Sequence, residues 1–397
     1  MKFAHLADVH IGGWREEELK NLTIESFKKA IDICIEENVG FVLICGDLFN
    51  TSIPQIDLIK ETASILNKLR DNDIDVYFIP GSHDYSPSGK TMLDVLEEAG
   101  LATNVMKFKD NKLIFTKDKT GTKLTGMYGR RSSLETLDYQ KLEKDHLEKE
   151  PGFKIFLFHT TLEEFKPKDL EKIQGESYSS LPKNFNYYAG GHVHYLFDKD
   201  IPNYGKIVYP GPVFPNNFKE LEELHHGRIC IVDDKLNIKR VDIKLKDIIT
   251  FNISVNNLTP DQAESKIIKE IESKELKDKI VTLRIEGELA SGKISDINFK
   301  KITDNLNAFV ILKNISKLTT KEFKNIEVKG DNVDEIENIL INESMSEVKE
   351  INNPEKLAES LMKVLVEDKN EGEKVADYEK RILNNAHKIL KNENQQT

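Results

Sequence analysis

No stretch of this 397-residue chain approaches the roughly 20 consecutive apolar residues that a membrane-spanning helix needs, and its N-terminus lacks the charged-then-apolar order of a signal peptide. A cytoplasmic location is the expectation. Cysteine is scarce: Cys34, Cys45 and Cys230 each lie inside an apolar run with no CxxC pairing, which argues for buried small hydrophobes over disulfides or thiolate metal sites. A surplus of positive charge is missing too. The formal net charge of -11 argues against coating nucleic acid through bulk electrostatics, so any grip on phosphates is local.

What is present is a well-folded composition, 31% charged and 39% hydrophobic, in a chain longer than one hydrophobic core usually supports, so two or three domains are expected. Its first ten residues, MKFAHLADVH, organise the rest. Phe3 to Ala7 has the length and apolar character of a buried strand, and it delivers Asp8 and His10 two residues apart, on one face if the chain stays extended. Four later runs end the same way. Phe41 to Cys45 runs into Gly46-Asp47, Val76 to Pro80 into Gly81-Ser82-His83-Asp84, Ile155 to Phe158 into His159, and Tyr187 to Gly191 into His192-Val193-His194. Such runs suit strands covered on both faces, in sheets that bind ligands at the carboxyl ends of their strands. Half of the ten histidines fall at these ends.

Between the strands, Ile24, Phe27, Ile31, Cys34 and Ile35 recur at helical spacing, Gln55 to Leu69 carries a second stripe, and Met92, Leu93 and Leu96 a third. Residues 107–128 read as short strands with antiparallel pairing, and a hairpin about Asp233-Asp234-Lys235 closes a first domain at residue 245. Residues 246–328 restart the pattern as a small α+β unit. Residues 329–352 read as linker, with a short helix over Asp334 to Ile341, and Asn353-Pro354 opens two amphipathic helices, with stripes from Leu357 to Val366 and from Val375 to Leu390. Helices with no domain of their own call for an outside surface.

Two carboxylates with several imidazoles and no thiolates suit divalent manganese, iron or zinc. A bridging carboxylate can hold two such ions about 3.5–4 Å apart, where they clamp the attacking and leaving oxygens of a phosphoester. Asp47, from a central strand, is the natural bridge.

HLADVH, CGDLF, PGSHD, FLFHT and GGHVH, in that order over the first 215 residues, resemble the calcineurin-like metallophosphoesterase superfamily. Within it, the opening KFAHLAD, Ile11-Gly12 and GDLF before Thr51-Ser52 are similar to the DNA double-strand-break repair nucleases, Mre-eleven in archaea and SbcD in bacteria. LRIEGEL followed by SGK resembles that family's capping domain. The resemblance implies an α/β fold, a two-sheet β-sandwich core flanked by helices, with a small α+β capping domain and a C-terminal helical segment that binds a coiled-coil ABC-type ATPase of the Rad-fifty or SbcC kind.

It also implies two Mn2+ per chain, one held by Asp8, His10, Asp47 and His194, the other by Asp47, His159 and His192. His83 would stabilise or protonate the leaving side of a DNA phosphodiester, oriented by Asp84, with no covalent intermediate. A homodimer on helices around Leu58 to Leu69 and Met92 to Leu96, exonuclease and endonuclease activity and a nucleoid-associated location follow from the same likeness. Two positions depart from the family: Ser82 stands where it has asparagine among the second metal's ligands, predicting a weaker second site, and Asn50 where some archaeal members have histidine. A phosphatase acting on phosphoproteins or small phosphoesters, and a weakly catalytic DNA-bridging scaffold, are the alternatives.

Overall fold

The computed structural model describes residues 1–86, 91–130, 135–167, 170, 175–304, 306–321, a few positions between 357 and 365, and 375–393. The expected linker over 329–352, the helix start at Asn353-Pro354, and Val366 lie outside the described residues.

The chain begins β1 (Phe3–Leu6), α1 (Glu17–Glu36), β2 (Phe41–Cys45), α2 (Ile56–Asp71), β3 (Asp75–Ile79), α3 (Met92–Glu98) and β4 (Thr103–Asn104). Short pieces follow: β5 (Lys107–Lys109), β6 (Lys112–Ile114), β7 (Thr116–Lys117), β8 (Lys123–Met127), α4 (Thr136–Gln140) and α5 (Asp145–Lys149). Next come β9 (Lys154–His159), β10 (Tyr187–Gly191), β11 (Leu196–Ile201), β12 (Gly205–Pro210), α6 (Phe218–Leu224), β13 (Gly227–Val232) and β14 (Ile238–Ile243). The remainder is β15 (Ile248–Ser254), α7 (Pro260–Glu272), β16 (Ile280–Leu289), α8 (Phe299–Asp304), β17 (Val310–Thr320) and α9 (Val375–Glu393).

Two six-stranded sheets carry the site, in the orders β14-β13-β1-β2-β3-β4 and β11-β12-β10-β9-β8-β7. In the first, β1 to β4 run parallel and β13 and β14 pair antiparallel beyond them. In the second, β12, β10, β9 and β8 are parallel, and β11 and β7 are antiparallel edges. The antiparallel pairing expected over 107–128 is thus confined to β5 with β6 and β7 with β8.

Side chains alternate along these strands. From β2, Phe41, Leu43 and Cys45 join Phe3, Tyr77 and Ile79 in packing against Leu124, Ile155, Leu157, Tyr187, Ala189 and Val208 of the other sheet. Val42 and Ile44 point the opposite way, onto Phe27, Ala30, Ile31 and Cys34 of α1 and Leu66 and Leu69 of α2. The second sheet's outer face holds Phe156, Phe158, Tyr188 and Tyr209. Each sheet is therefore apolar on both faces, and the polar chemistry is pushed to the strand ends. All three cysteines are buried and free. No helix among the described residues is long and apolar enough to cross a membrane.

α1 starts at Glu17, about two turns before the stripe read from the sequence, because Leu19 and Leu22 are buried in a separate cluster with Phe214 and Leu221. By packing, the chain falls into two units. One comprises residues 1–253, 267–285 and 299–315; the other comprises 254–266, 286–298 and the described residues from 316 on. Within the second unit, Glu288 N donates to Asn256 Oδ1 (2.8 Å) and Lys266 Nζ to the Ser254 carbonyl (2.8 Å). In α9, Ile382 is buried while Leu383 and Leu390 are exposed.

Candidate metal centre

β1 does not deliver Asp8 and His10 by staying extended. The strand stops at Leu6, and Asp8 (φ 52°) and His10 (φ 49°) both sit in the left-handed region, as does Asp47 (φ 53°) after β2. The two loops zip together through Asp8 N to Gly46 O (3.2 Å), His10 N to Asp47 O (2.9 Å) and Ile11 N to Leu48 O (3.0 Å). Left-handed non-glycine residues cost about 1–3 kcal/mol each and persist where the surroundings over-determine them. Here the turns aim a carboxylate and an imidazole inward from adjacent strands.

Asp47 lies at the middle. Its Oδ1 accepts from His83 N (2.7 Å), and its Oδ2 is 3.2 Å from His159 Nε2, 3.7 Å from His10 Nε2 and 3.4 Å from Ser82 Oγ. Asp8 accepts from His192 N with both oxygens (2.9 and 3.1 Å) and lies 3.8 Å from His194 Nε2. His10 Nε2 and His194 Nε2 are 3.1 Å apart. The rings of His10 and His83, and of His159 and His192, meet at 4.8 and 5.0 Å between centroids. The structure thus brings together all seven side chains read from the five strand ends, and Ser82 with them.

The surroundings fix which nitrogen faces inward. His159 Nδ1 donates to the Cys45 carbonyl (2.8 Å), His83 Nδ1 to the Asn50 carbonyl (2.9 Å) and His194 Nδ1 to Glu220 Oε1 (2.8 Å), leaving each Nε2 for the site. The sequence expectation that Asp84 orients His83 does not match this geometry. Asp84 is buried and accepts from the backbone nitrogens of Leu48 (3.2 Å), Phe49 (3.1 Å) and Gly81 (3.0 Å), so it ties the loop after β3 to the loop after β2, and the Asn50 carbonyl holds the His83 ring.

Electrostatics divide the histidines. Burial opposes protonation of His159, yet Asp47 and Asp8 overcome it and raise its pKa to about 10. For His194, burial is likewise outweighed by Asp8 and Glu220, which raise it to about 9. Burial lowers His192 to about 3, with His159 adding to it, and pushes His10 well below its ordinary value. Burial also raises Asp8. In Asp47 burial is overcome by His159, His10 and His83, which hold the carboxyl below its usual range, whereas burial and Asp47 raise Asp84 to about 6.

This donor set fits divalent cations. His159 Nε2 and His10 Nδ1 are buried without a hydrogen-bond partner, and two imidazole nitrogens converge at 3.1 Å, a placement that a shared cation satisfies. Asp8, His10 and His194 form one close group, His10, Asp47 and His83 a second, and Asp8, Asp47 and His159 a third, with candidate ligand atoms in each within 4.8 Å of one another. His83 falls in such a group and His192 in none. Sequence reasoning missed Glu220. The Asn217-x-x-Glu220 pattern marks a helix start, and Asn217 does cap α6, but nothing in the spacing shows the carboxylate reaching back 26 residues to His194.

The chain is similar to archaeal proteins that share one name. The chain is 30% identical over 314 residues to the DNA double-strand break repair protein Mre11 of Archaeoglobus fulgidus, covering 74% of this chain and 63% of that one. It is 32% identical to the protein of the same name from Methanococcus maripaludis (53% and 55% covered) and 26% identical to that from Methanocaldococcus jannaschii (86% and 95% covered). The match thus spans less than two thirds of the first two relatives and nearly the whole of the third. Residues 1–196, which hold all five strand-end motifs, match the family model described as calcineurin-like phosphoesterase, so the chain carries a calcineurin-like phosphoesterase domain.

Proposed function

We propose that this chain is a manganese-dependent DNA nuclease, hydrolysing phosphodiesters at a two-ion centre as part of double-strand-break repair. The carrying observation is Asp47, a buried carboxylate with imidazoles from both sheets on one oxygen and a backbone amide on the other. The names of the three relatives support the substrate.

Asp8, His10, Asp47 and His194 would hold one ion, and Asp47, His159 and His192, with Ser82 nearby, the other. Bound there, the pair supplies Lewis acidity at the phosphate and lowers the pKa of water. The protein's own groups do the rest. His83 Nδ1 is tied to the Asn50 carbonyl, so Nε2 is the atom that gives a proton to the departing sugar oxygen as the P–O bond breaks, while water supplies the oxygen that joins phosphorus. Asp84 holds the two loops in register so that His83 and Asp47 keep their spacing.

The domain division at 245 and 328, an ATPase partner on the C-terminal helices and a homodimer across α2 and α3 belong to the same reading. Ile56 at the start of α2 and Val95 on α3 are exposed apolar residues suited to such a surface. A protein that acts on chromosomal DNA would be associated with the nucleoid. A nuclease assay on linear and hairpin DNA, with and without manganese and beside a generic phosphomonoester, tests the proposal. Cleavage of DNA only with manganese is expected; hydrolysis of the monoester with DNA left intact would overturn it.

A further inference from the structure

From the way α6 meets the metal centre, we infer that Glu220 is a positioning residue that sets the strength of one metal position through His194. The inference rests on the two-ion reading above.

Where the described structure shows what holds a site imidazole by its Nδ1, the acceptor for His159 and His83 is a neutral backbone carbonyl. For His194 it is a carboxylate, Glu220 Oε1 at 2.8 Å. A charged acceptor locks the tautomer more firmly and makes the opposite nitrogen a stronger donor toward a cation. His194 Nε2, so prepared, faces Asp8 Oδ1 (3.8 Å) and His10 Nε2 (3.1 Å).

Glu220 is not itself placed as a ligand, because its oxygens are engaged. Oε1 also accepts from Asn217 Nδ2, and Oε2 accepts from Asn216 N (2.7 Å). The helix around it is held on two further sides. Leu221 is buried with Leu19, Leu22, Ile280 and Leu312, and Arg284 of β16 pairs with both oxygens of Glu222 while lying over the Phe218 ring (5.2 Å). Three consecutive side chains of α6 therefore go to three destinations: Glu220 to the metal centre, Leu221 to the core and Glu222 to β16. A carboxylate on so fixed a helix can hold an imbalance between the metal positions. The Asp8, His10 and His194 group receives the reinforced histidine, and the group around Asp47 and His159 does not.

Manganese titration by calorimetry of the full-length chain, as wild type, Glu220→Ala and Glu220→Gln, tests this, with the thermal midpoint of each chelator-treated protein measured alongside. In Glu220→Ala, one of two manganese-binding steps should weaken by about 10–100-fold, the other staying within about twofold. Glu220→Gln, whose neutral amide oxygen still accepts from His194 Nδ1, should recover only part of the loss, because it keeps the hydrogen bond and not the charge. Unchanged binding in Glu220→Ala would overturn the inference. So would an equal weakening of both steps that tracks a lowered midpoint and is not recovered by glutamine, since that is what a merely structural role produces. A wild-type chain that takes up no manganese would instead sink the two-ion reading, and this inference with it.

Discussion

The two sheets contribute different chemistry to one site. The first supplies both carboxylates, Asp8 and Asp47, from loops forced into left-handed turns, with His10 and His83 beside them. The second supplies imidazoles alone: His159 is the last residue of β9, and His192 and His194 follow directly on β10. The carboxylates are thus concentrated on one side of the seam, and imidazoles alone stand on the other. Contacts across it run both ways, His192 N to Asp8 and Asp47 to His159 Nε2, so neither half is a site by itself.

Removing the charge that both halves share should have the largest effect. Asp47→Ala leaves facing cations without a common carboxylate, so manganese content should fall below one per chain and activity by several decades; retention of two ions per chain would contradict the bridging role. The next effect separates chemistry from assembly on the carboxylate side. His83→Gln should keep metal content and DNA binding near wild type while cleavage falls by about 10²–10⁴-fold, the usual worth of a positioned acid. Loss of an ion in that variant would make His83 a ligand, the alternative that its closeness to His10 and Asp47 keeps in view.

The seam itself can be broken without replacing a ligand. A Cβ on Gly191 would lie 2.0 Å from the Cys45 carbonyl oxygen, a backbone atom that cannot swing aside, so Gly191→Ala should destabilise the fold by about 3 kcal/mol, the upper end for overpacking. Urea denaturation measures it, and a midpoint equal to wild type would mean the sheets are not held together there.

The effect that is smallest at neutral pH is on the acid limb of stability. His5 of β1 is buried at the same seam, where Nε2 donates to the Gly190 carbonyl (3.1 Å) and Nδ1 accepts from the Tyr187 hydroxyl (2.9 Å). Burial lowers its pKa to about 3, partly offset by the Gly190 carbonyl. The folded form is therefore neutral where the unfolded chain takes up a proton. Its contribution is complete above the ordinary histidine value of about 6.5 and is lost as pH falls toward 3, at up to about 1.4 kcal/mol per pH unit. His5→Gln should flatten that acid limb; identical slopes in the two proteins would place the acid sensitivity elsewhere.

The sequence carried the site better than it carried the local geometry that makes the site. Five apolar runs ending in Asp or His were enough to bring Asp8, His10, Asp47, His83, His159, His192 and His194 together, because parallel strands expose their carboxyl ends on one edge. Pairing order was harder, since periodicity reports a buried strand without naming its neighbour: β13 pairs with β1 across more than 200 residues. The condition that the chain stay extended at Asp8 and His10 is not met, and the sequence does not show it, because the two-residue spacing is the same in either conformation. The family resemblance pairs Asp84 with His83, whereas its partners are the Gly81 amide and two amides of the loop after β2, 35 and 36 residues away. Glu220 was invisible for the same reason. Its meaning depends on where α6 lands, not on what surrounds it in the chain.

Crystals of the full chain grown with manganese, measured at the manganese absorption edge, test the account most directly. Two anomalous peaks are predicted, one beside Asp8, His10 and His194 and one beside His159 and His192, with Asp47 touching both. A single peak held by residues of one sheet alone would contradict it.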